Sequence, residues 1–363
     1  MPSISEKYDH VVGVDTHARA HHFVIVAAGT GAVVAGPEEF AATARGFGKA
    51  LVWIGRRTSG GRVLAAVEGT NSYGRQLTQA LTAGGVMVTE ARPPAKRVRR
   101  GAGKTDGLDA LRAARSILER DLDELTVPRA GDQRTDLQVL LISRRRRTQE
   151  NTARINALGA IVRTLGLLAD TRGKLTMTQI RGIADGSLTL SGHSTIVVEE
   201  AVELATAIIA CQDALKVNER RIRDVVLAWR PDMLALVGVG PVVAARVLSV
   251  WSHPGRFANE AKFASIAGVS PVPIASGQSH TYRLNYGGDR ELNAALYTVM
   301  MTRRCHDPRT KEYIAKRTAH GKTPRDINRI LKRYIAREIF KALEHGAATA
   351  SETPEPAKAR ATA

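Results

Sequence analysis

The sequence is poor in cysteine, aromatic residues and negative charge. Two cysteines in 363 residues, Cys211 and Cys305, exclude a disulfide framework and a cysteine-rich zinc cluster and suit a reducing compartment. Aromatic residues make up 4% of the chain, too few for an extended platform on which single-strand bases would stack. No apolar run reaches the ~18–20 residues of a membrane span; the uncharged stretch Phe23–Gly36 is short and rich in glycine. The first ten residues, MPSISEKYDH, lack the basic-then-apolar order of a secretion signal. A soluble cytoplasmic protein without membrane contact is the expectation. The 35 Asp and Glu are outnumbered by 53 Lys and Arg, for a net charge of +18. A surface that basic favours polyanions, nucleic acid first. An anionic membrane surface ranks second, because no Lys-rich amphipathic helix with aromatic anchors is present. At 44% hydrophobic, the chain can bury a sizeable core, and its length suggests about two or three domains.

Three regions differ in pattern. Up to residue 128, strand-like and helix-like pieces alternate. Val11–Asp15 and Phe23–Ala28 read as a hairpin, Val33–Ala35 as a third strand, and Val63–Glu68 and Val86–Thr89 as further strands. Phe47–Arg57, Tyr73–Ala83 and Asp106–Glu119 have helical spacing. This order predicts a mixed α/β sheet covered by helices. In residues 129–230, two long helical patterns, Asp132 to about Gly166 and Ile196–Trp229, flank a Gly/Ser/Thr-rich connector and predict an antiparallel helical hairpin or coiled coil. Residues 231–345 begin with Gly and Pro punctuation and continue as helices. Residues 346–363, without periodicity, predict a disordered tail.

Four acids fall at element ends in the first region. Asp15 closes the first strand in VGVDTH, Glu68 closes a later strand in VEGTNSYG, and Asp106 and Asp109 open a helix in KTDGLDA. A spacing of three places the last two on one helix face. A carboxylate at the end of a buried strand is costly unless a cation offsets it. Phosphodiester chemistry commonly uses two divalent ions about 4 Å apart held by such acids. Acids on a first strand, on a neighbouring strand and on a following helix form the acidic layout of the ribonuclease-H-like fold. His17, His21 and His22 lie near Asp15; they can serve as metal ligands, but hairpin-turn histidines are the preferred reading.

The basic stretch RPPAKRVRRGAGK directly precedes Asp106. Its Lys96, Arg97, Arg99, Arg100 and Lys104 are candidates to lead a phosphate backbone to the acids. The ending Gly103-Lys104-Thr105 is not a phosphate-binding P-loop, because Val98 stands where its first glycine belongs. Arg144, Arg145, Arg146 and Arg147 cover every face of a helix and so favour a polyanion. In MLALVGVGPVVAARVLSV, Gly238 and Gly240 sit between two apolar helical patterns. The segment resembles a helix-hairpin-helix DNA-binding motif, in which backbone N–H groups hold a phosphate. Val243 excludes a dinucleotide fingerprint there. Further on, Ser276-Gly277 reads as a loop followed by Ser279, Arg283 and Arg290. A serine among basic groups can attack a phosphate if something activates it.

Taken together, VGVDTH, VEGTNSYG, KTDGLDA, LVGVGPVVAARVLSV, FASIAGVSP, the Ser-Gly pair, GGDRELNAALYTVMM and the closing helical stretch from HDPRTKEY resemble the DEDD-type insertion-sequence transposases of the IS one-ten family, related to the pilin-gene invertase Piv. The resemblance spans about residues 10–345. It implies a RuvC-like N-terminal domain, a coiled-coil linker and a mainly helical C-terminal transposase domain. It also implies Asp15, Glu68, Asp106 and Asp109 as ligands of one or two Mg2+ ions, with Ser276 as the nucleophile that forms a transient phosphoserine link to DNA. Ser279 is the nearest rival. The implied partners are double-stranded DNA at the element ends and target, a structured non-coding bridge RNA, and further copies of the chain in a dimer or tetramer, nucleoid-associated when on DNA. Two rival readings remain. A RuvC-like nuclease would use metal-activated water and give Ser276 no role. A non-catalytic helix-hairpin-helix DNA-binding protein would be indifferent to metal.

Overall fold

The computed structural model describes residues 3–91, 106–168, 173–188, 190, 192–276, 279–283, 285 and 287–351, with side chains excepted at 273–282 and 347–351. The chain folds into two compact units, Met1–Ala130 with Trp251–Lys262, and Gly131–Val250 with Phe263–Ala363. In this division the helical hairpin expected over 129–230 falls with the C-terminal region, and the short segment Trp251–Lys262 falls with the first unit. Backbone hydrogen-bonding groups hold that segment. The Ser252 hydroxyl donates to Ala130 O (2.9 Å) and accepts from Ala130 N (2.8 Å), and a His253 ring nitrogen lies 3.2 Å from Pro128 O.

The first unit runs α1 (Ile4–Lys7), β1 (His10–Thr16), β2 (Ala20–Ala27), β3 (Val33–Ala41), α2 (Ala44–Thr58), β4 (Val63–Val67), α3 (Arg75–Ala83), β5 (Met87–Glu90) and α4 (Asp106–Leu118). The sheet order is β3-β2-β1-β4-β5. β1 pairs antiparallel with β2 and parallel with β4; β2–β3 is antiparallel and β4–β5 parallel. β1 and β4 are buried on both faces, which explains their unbroken Val/Ala runs. Strand alternation sorts the side chains. Val12, Val14, Ala65 and Val67 pack with Phe47 and Ile54 of α2 and Leu77 and Leu81 of α3. Val11, Leu64 and Ala66 pack with Ala110, Ala113, Ala114 and Ile117 of α4. Each fully buried aliphatic side chain of this kind contributes about 1.5–3 kcal/mol.

The contact of α4 with the sheet is unusually close. A Cβ added at Gly13, in the middle of β1, would meet Ala110 O at 2.0 Å and Ala114 N at 2.5 Å. The helix backbone rests directly on the strand, and only glycine below with alanines above permits it.

The second unit begins with α5 (Asp132–Leu165), α6 (Met177–Ala184) and α7 (Thr195–Trp229). α5 and α7 pack antiparallel: Asn218 Nδ2 donates to Leu140 O (3.1 Å), Arg144 to Leu215 O (3.1 Å) and Arg147 to Ala214 O (3.4 Å). The expected connector contains α6, whose start is fixed by a reciprocal capping box between Thr176 and Gln179. Ile180 and Ile183 of α6 join Leu158, Val162, Ala201, Ala205 and Ile208 in one core. Then follow α8 (Pro241–Trp251), α9 (Glu260–Ile266), the hairpin β6 (Val272–Ser276) and β7 (Ser279–Arg283), α10 (Arg290–His306), α11 (Pro308–Ala319) and α12 (Pro324–Ser351). The expected tail from residue 346 starts instead as helix, because α12 continues to Ser351. Arg230 donates to Ala342 O and Leu343 O (both 2.8 Å) and pairs with Asp232, and this pair lies where a Cβ at Gly346 would collide. Residues 352–363 lie outside the described residues. No helix among the described residues is long and apolar enough to cross a membrane.

Overpacking a tight contact costs about 1–3 kcal/mol, and backbone cannot rotate away as a side chain can. Gly13→Ala is therefore expected to destabilise the protein by at least that range in urea unfolding, whereas Gly48→Ala, on an open face of α2, should not. Equal stability of the two variants would refute the close seating of α4.

Candidate functional site

Asp15 is the last inward residue of β1 before the strand ends, and Glu68 directly follows β4. Val14 and Val67 are register partners, and Glu68 N donates to Val14 O (3.0 Å). Continuing the alternation of Val11 and Gly13, and of Leu64 and Ala66, puts Asp15 and Glu68 on the sheet face that α4 covers. The strand ends are laced together: the Thr16 hydroxyl donates to Glu68 O (2.8 Å). Gly69 follows with φ +71°, and a Cβ there would crowd Thr16 Oγ1 at 2.9 Å, so the turn after Glu68 requires glycine.

α4 brings the other two acids. Ala110, Ala113, Ala114 and Ile117 form its buried seam, and Asp106 and Asp109 extend that seam toward the helix start, where the dipole favours carboxylates. Asp106 reaches the strand end of Asp15 through histidine: His17 Nε2 lies 3.0 Å from Asp15 Oδ2 and 3.6 Å from Asp106 Oδ1. Asp15, His17 and Asp106 offer ligand atoms that all lie within 4.8 Å of one another. His22 Nε2 approaches Asp106 Oδ2 to 3.3 Å. Asp109 pairs with Arg112 at 2.8 Å.

Two carboxylates and an imidazole at this separation fit a divalent cation that takes oxygen and nitrogen ligands. His17 lies in the turn between β1 and β2, whereas His22 is a strand residue of β2. The signal was in the hairpin: Asp15 and His22 are cross-strand partners, and His17 is one alternation beyond Asp15. His21 plays a different part. It is buried and stacks on Phe47 (ring centroids 5.7 Å apart). Burial pushes its imidazole below the usual histidine range, and its Nδ1 accepts the His17 backbone N–H (3.3 Å), which fixes the turn that carries His17.

One further residue is absent from the sequence reading. Glu90, at the end of β5, accepts from Thr70 Oγ1 and Asn71 Nδ2 (both 3.2 Å) and pairs with the buried Arg256 at 3.4 Å. Arg256 also donates to Val127 O. The segment Trp251–Lys262 thereby anchors the turn that follows Glu68. Nothing local marks Glu90, since its partner is 166 positions away.

In the second unit, Ser276 ends β6 and Ser279 begins β7, so the expected loop serine is a strand residue. The two serines are register partners at the hairpin end. Arg283, at the hairpin root, and Arg290, which opens α10 behind the cap Asp289, are exposed. Gly238 has φ +81° and packs against Val299 of α10, while Gly240 is exposed with open space. The first arm of the expected helix-hairpin-helix is only a five-residue 3-10 turn, Pro231–Ala235; Pro231 lacks the N–H that would continue α7 into it. Of the arginine run, Arg144 and Arg147 bond α7 carbonyls, Arg145 pairs with Glu291 (2.7 Å) and Arg146 with Glu150 (2.6 Å). Arg144 and Arg147 thus staple the helical hairpin, while Arg145 and Arg146 remain more than half exposed. Lys96, Arg97, Arg99, Arg100 and Lys104 lie outside the described residues.

Removing one partner of a largely buried ion pair costs about 3 kcal/mol. Arg256→Ala is expected to lower stability by about that amount in urea unfolding, and Arg62→Ala, which breaks an exposed pair with Asp9, by less than about 1 kcal/mol. Comparable effects would show that Arg256 does not anchor the turn.

Two family models match this chain in order. One, for DEDD transposases, covers residues 12–166 and includes all four acids. The other, described as Transposase IS116/IS110/IS902 family, covers residues 233–315 and includes Ser276 and Ser279. Among individual proteins, the chain is 28% identical over 154 residues to the insertion element IS110 uncharacterized 43.6 kDa protein of Streptomyces coelicolor, covering 42% of this chain and 38% of that protein. It is 26% identical over 125 residues to the insertion element IS116 uncharacterized 44.8 kDa protein of Streptomyces clavuligerus, covering 33% of this chain and 31% of that one. The chain thus matches about a third of the length of these relatives. With both family models satisfied in sequence and the acids and serines inside them, the chain belongs to the DEDD transposases of the IS110/IS116/IS902 family.

Proposed function

We propose that the protein is a DNA transposase that moves an insertion sequence by metal-dependent strand cleavage and rejoining through a serine–DNA link. The observation that carries this reading is the convergence of Asp15 and Asp106, with His17 between them, at the end of β1, inside a matched DEDD transposase segment. The sheet order β3-β2-β1-β4-β5 with a helix across β1 and β4 supports a RuvC-like, ribonuclease-H-like first unit.

Asp15, Glu68, Asp106 and Asp109, joined by His17, would hold one or two Mg2+ ions. When bound, Mg2+ supplies charge neutralisation at the scissile phosphate. The chain's own groups do the rest. Ser276 Oγ attacks phosphorus, forming an O–P bond as the bond to one sugar oxygen breaks; that oxygen takes up a proton as it leaves. Rejoining reverses the exchange with a sugar hydroxyl of the new partner strand, so the phosphodiester count is conserved. His17 holds Asp15 and Asp106 in place, and the Thr16–Glu68 bond fixes the spacing of the two strand ends. A net charge of +18 suits a protein that grips double-stranded DNA together with a structured bridge RNA, in a dimer or tetramer.

The test is recombination between element ends and target on plasmids, with the flanking DNA expressed to supply the RNA. Asp15→Ala and Ser276→Ala are each expected to reduce product by at least about a thousandfold, the scale of losing a metal ligand or a nucleophile. Ser279→Ala should retain activity, and omission of the flanking DNA should stop the reaction. Full activity of Asp15→Ala or Ser276→Ala would contradict the assignment. Full activity without flanking DNA would remove the RNA from it.

A further inference from the structure

The second unit contains a cavity of about 480 Å³ between the root of the β6–β7 hairpin, the turn after α9 and the first turns of α12. That volume lies in the ~300–1,000 Å³ range of small-molecule sites. Its walls carry five cations, Arg283, Lys322, Arg329, Lys332 and Arg333, against one acid, Asp326. Asp326 is committed locally: it pairs with Arg329 (3.2 Å) and accepts from the Thr323 hydroxyl (2.7 Å) at the start of α12. Positive charge therefore dominates the cavity.

The cations are crowded and partly out of water. Burial, then the neighbouring Arg329, lowers the Lys332 ammonium from the usual lysine range, and burial, then Arg337, lowers Arg333. Lys332 donates to a neutral oxygen, Asn293 Oδ1, at 3.2 Å. Such crowding of cations favours the entry of an anion. The cavity also has an aromatic wall. Tyr334 is 46% exposed and is braced edge-on by Tyr313 (centroids 6.0 Å apart), which in turn lies under Arg317. In a chain with so few aromatic residues, a braced and exposed tyrosine beside a basic cavity is a specific combination. Cations suit a phosphate and a tyrosine face suits a base.

We propose that this cavity takes one unstacked nucleotide of a DNA strand, with its phosphate on the Arg329/Lys332 wall and its base against Tyr334. The inference rests on the reading of the protein as a DNA-acting enzyme and adds a site to it. Val272 and Arg283 pair at the hairpin root and Ser276 and Ser279 at its end, so the cavity and the candidate nucleophiles are about 13 Å apart along the strands. A strand of a few nucleotides spans that distance. A held nucleotide would fix the register in which the strand passes the hairpin end.

The experiment measures equilibrium binding of the full chain to four labelled ligands: a single-stranded DNA, the same strand with one abasic position, the fully paired duplex, and the RNA of the same sequence. Two variants at well-exposed positions are compared with wild type after checking equal thermal midpoints. Tyr334→Leu keeps apolar bulk but removes the aromatic face, and is expected to weaken single-stranded DNA binding about tenfold and duplex binding less than about twofold. The abasic strand should already bind more weakly than the intact one and lose less from Tyr334→Leu. Arg329→Ala should weaken single-strand binding and reduce the slope of log Kd against log salt by about 1. The proposal is overturned if both variants bind single-stranded DNA as wild type does, if duplex binding falls equally, or if the loss is confined to RNA. A wild-type chain that binds no DNA would sink this inference and the transposase reading together; wild-type binding and recombination with indifferent variants would sink this inference alone.

Discussion

The arrangement depends on how closely α4 lies on β1. Gly13 removes the side chain that would hold the helix off, and Ala110, Ala113 and Ala114 present almost bare backbone in return. Interiors pack densely enough that one methyl group at such a contact must move a whole element. The helix so placed carries Asp106 and Asp109 at its first turn, and the strand so covered carries Asp15 two residues beyond the glycine. Packing and chemistry share one strand and one helix, so any shift of the helix along the sheet is a shift of two carboxylates relative to a third.

Around that contact the fold supplies further restraints. The parallel pairing of β1 with β4 sets Glu68 beside Asp15, and the Thr16–Glu68 bond closes the strand ends. The buried His21 accepts the His17 backbone N–H, which fixes the hairpin turn and so the position of His17. Glu90 and Arg256 tie the turn after Glu68 to a segment that the sequence delivers much later. A carboxylate cluster in a +18 protein is also a local reversal of charge. Its surroundings attract a phosphate backbone while the acids themselves repel it, a conflict that a bound divalent cation resolves.

Much of this was legible in the sequence. β1, β4 and α4 were marked by apolar runs and helical spacing, and the acids at their ends by position alone. The helical hairpin followed from two long periodic stretches. What stayed hidden has identifiable causes. His17 and His22 look like turn residues until the antiparallel register sets His22 opposite Asp15. Glu90 and Arg256 are coupled across most of the chain. Helix α6 is short, and its capping box sits in a stretch whose Gly, Ser and Thr content reads as a loop. The end of α12 is hidden because residues 346–363 lack periodicity, although Gly346 continues the helix and makes room for Arg230 and Asp232. Ser276 reads as a loop residue because Ser-Gly pairs usually are; the pairing of β6 with β7 places it at a strand end.

The central claim, that a serine of the β6–β7 hairpin forms a covalent link to DNA in a metal-dependent step, is tested most directly by mass spectrometry. The protein is incubated with element-end DNA and Mg2+, denatured, and digested with nuclease and trypsin. Ser276 and Ser279 both fall in the tryptic peptide Phe263–Arg283, and fragmentation separates them. The account predicts a nucleotide adduct on Ser276 that forms with Mg2+ and is absent with chelator. Cleaved DNA with an unmodified peptide would contradict it and point to attack by water.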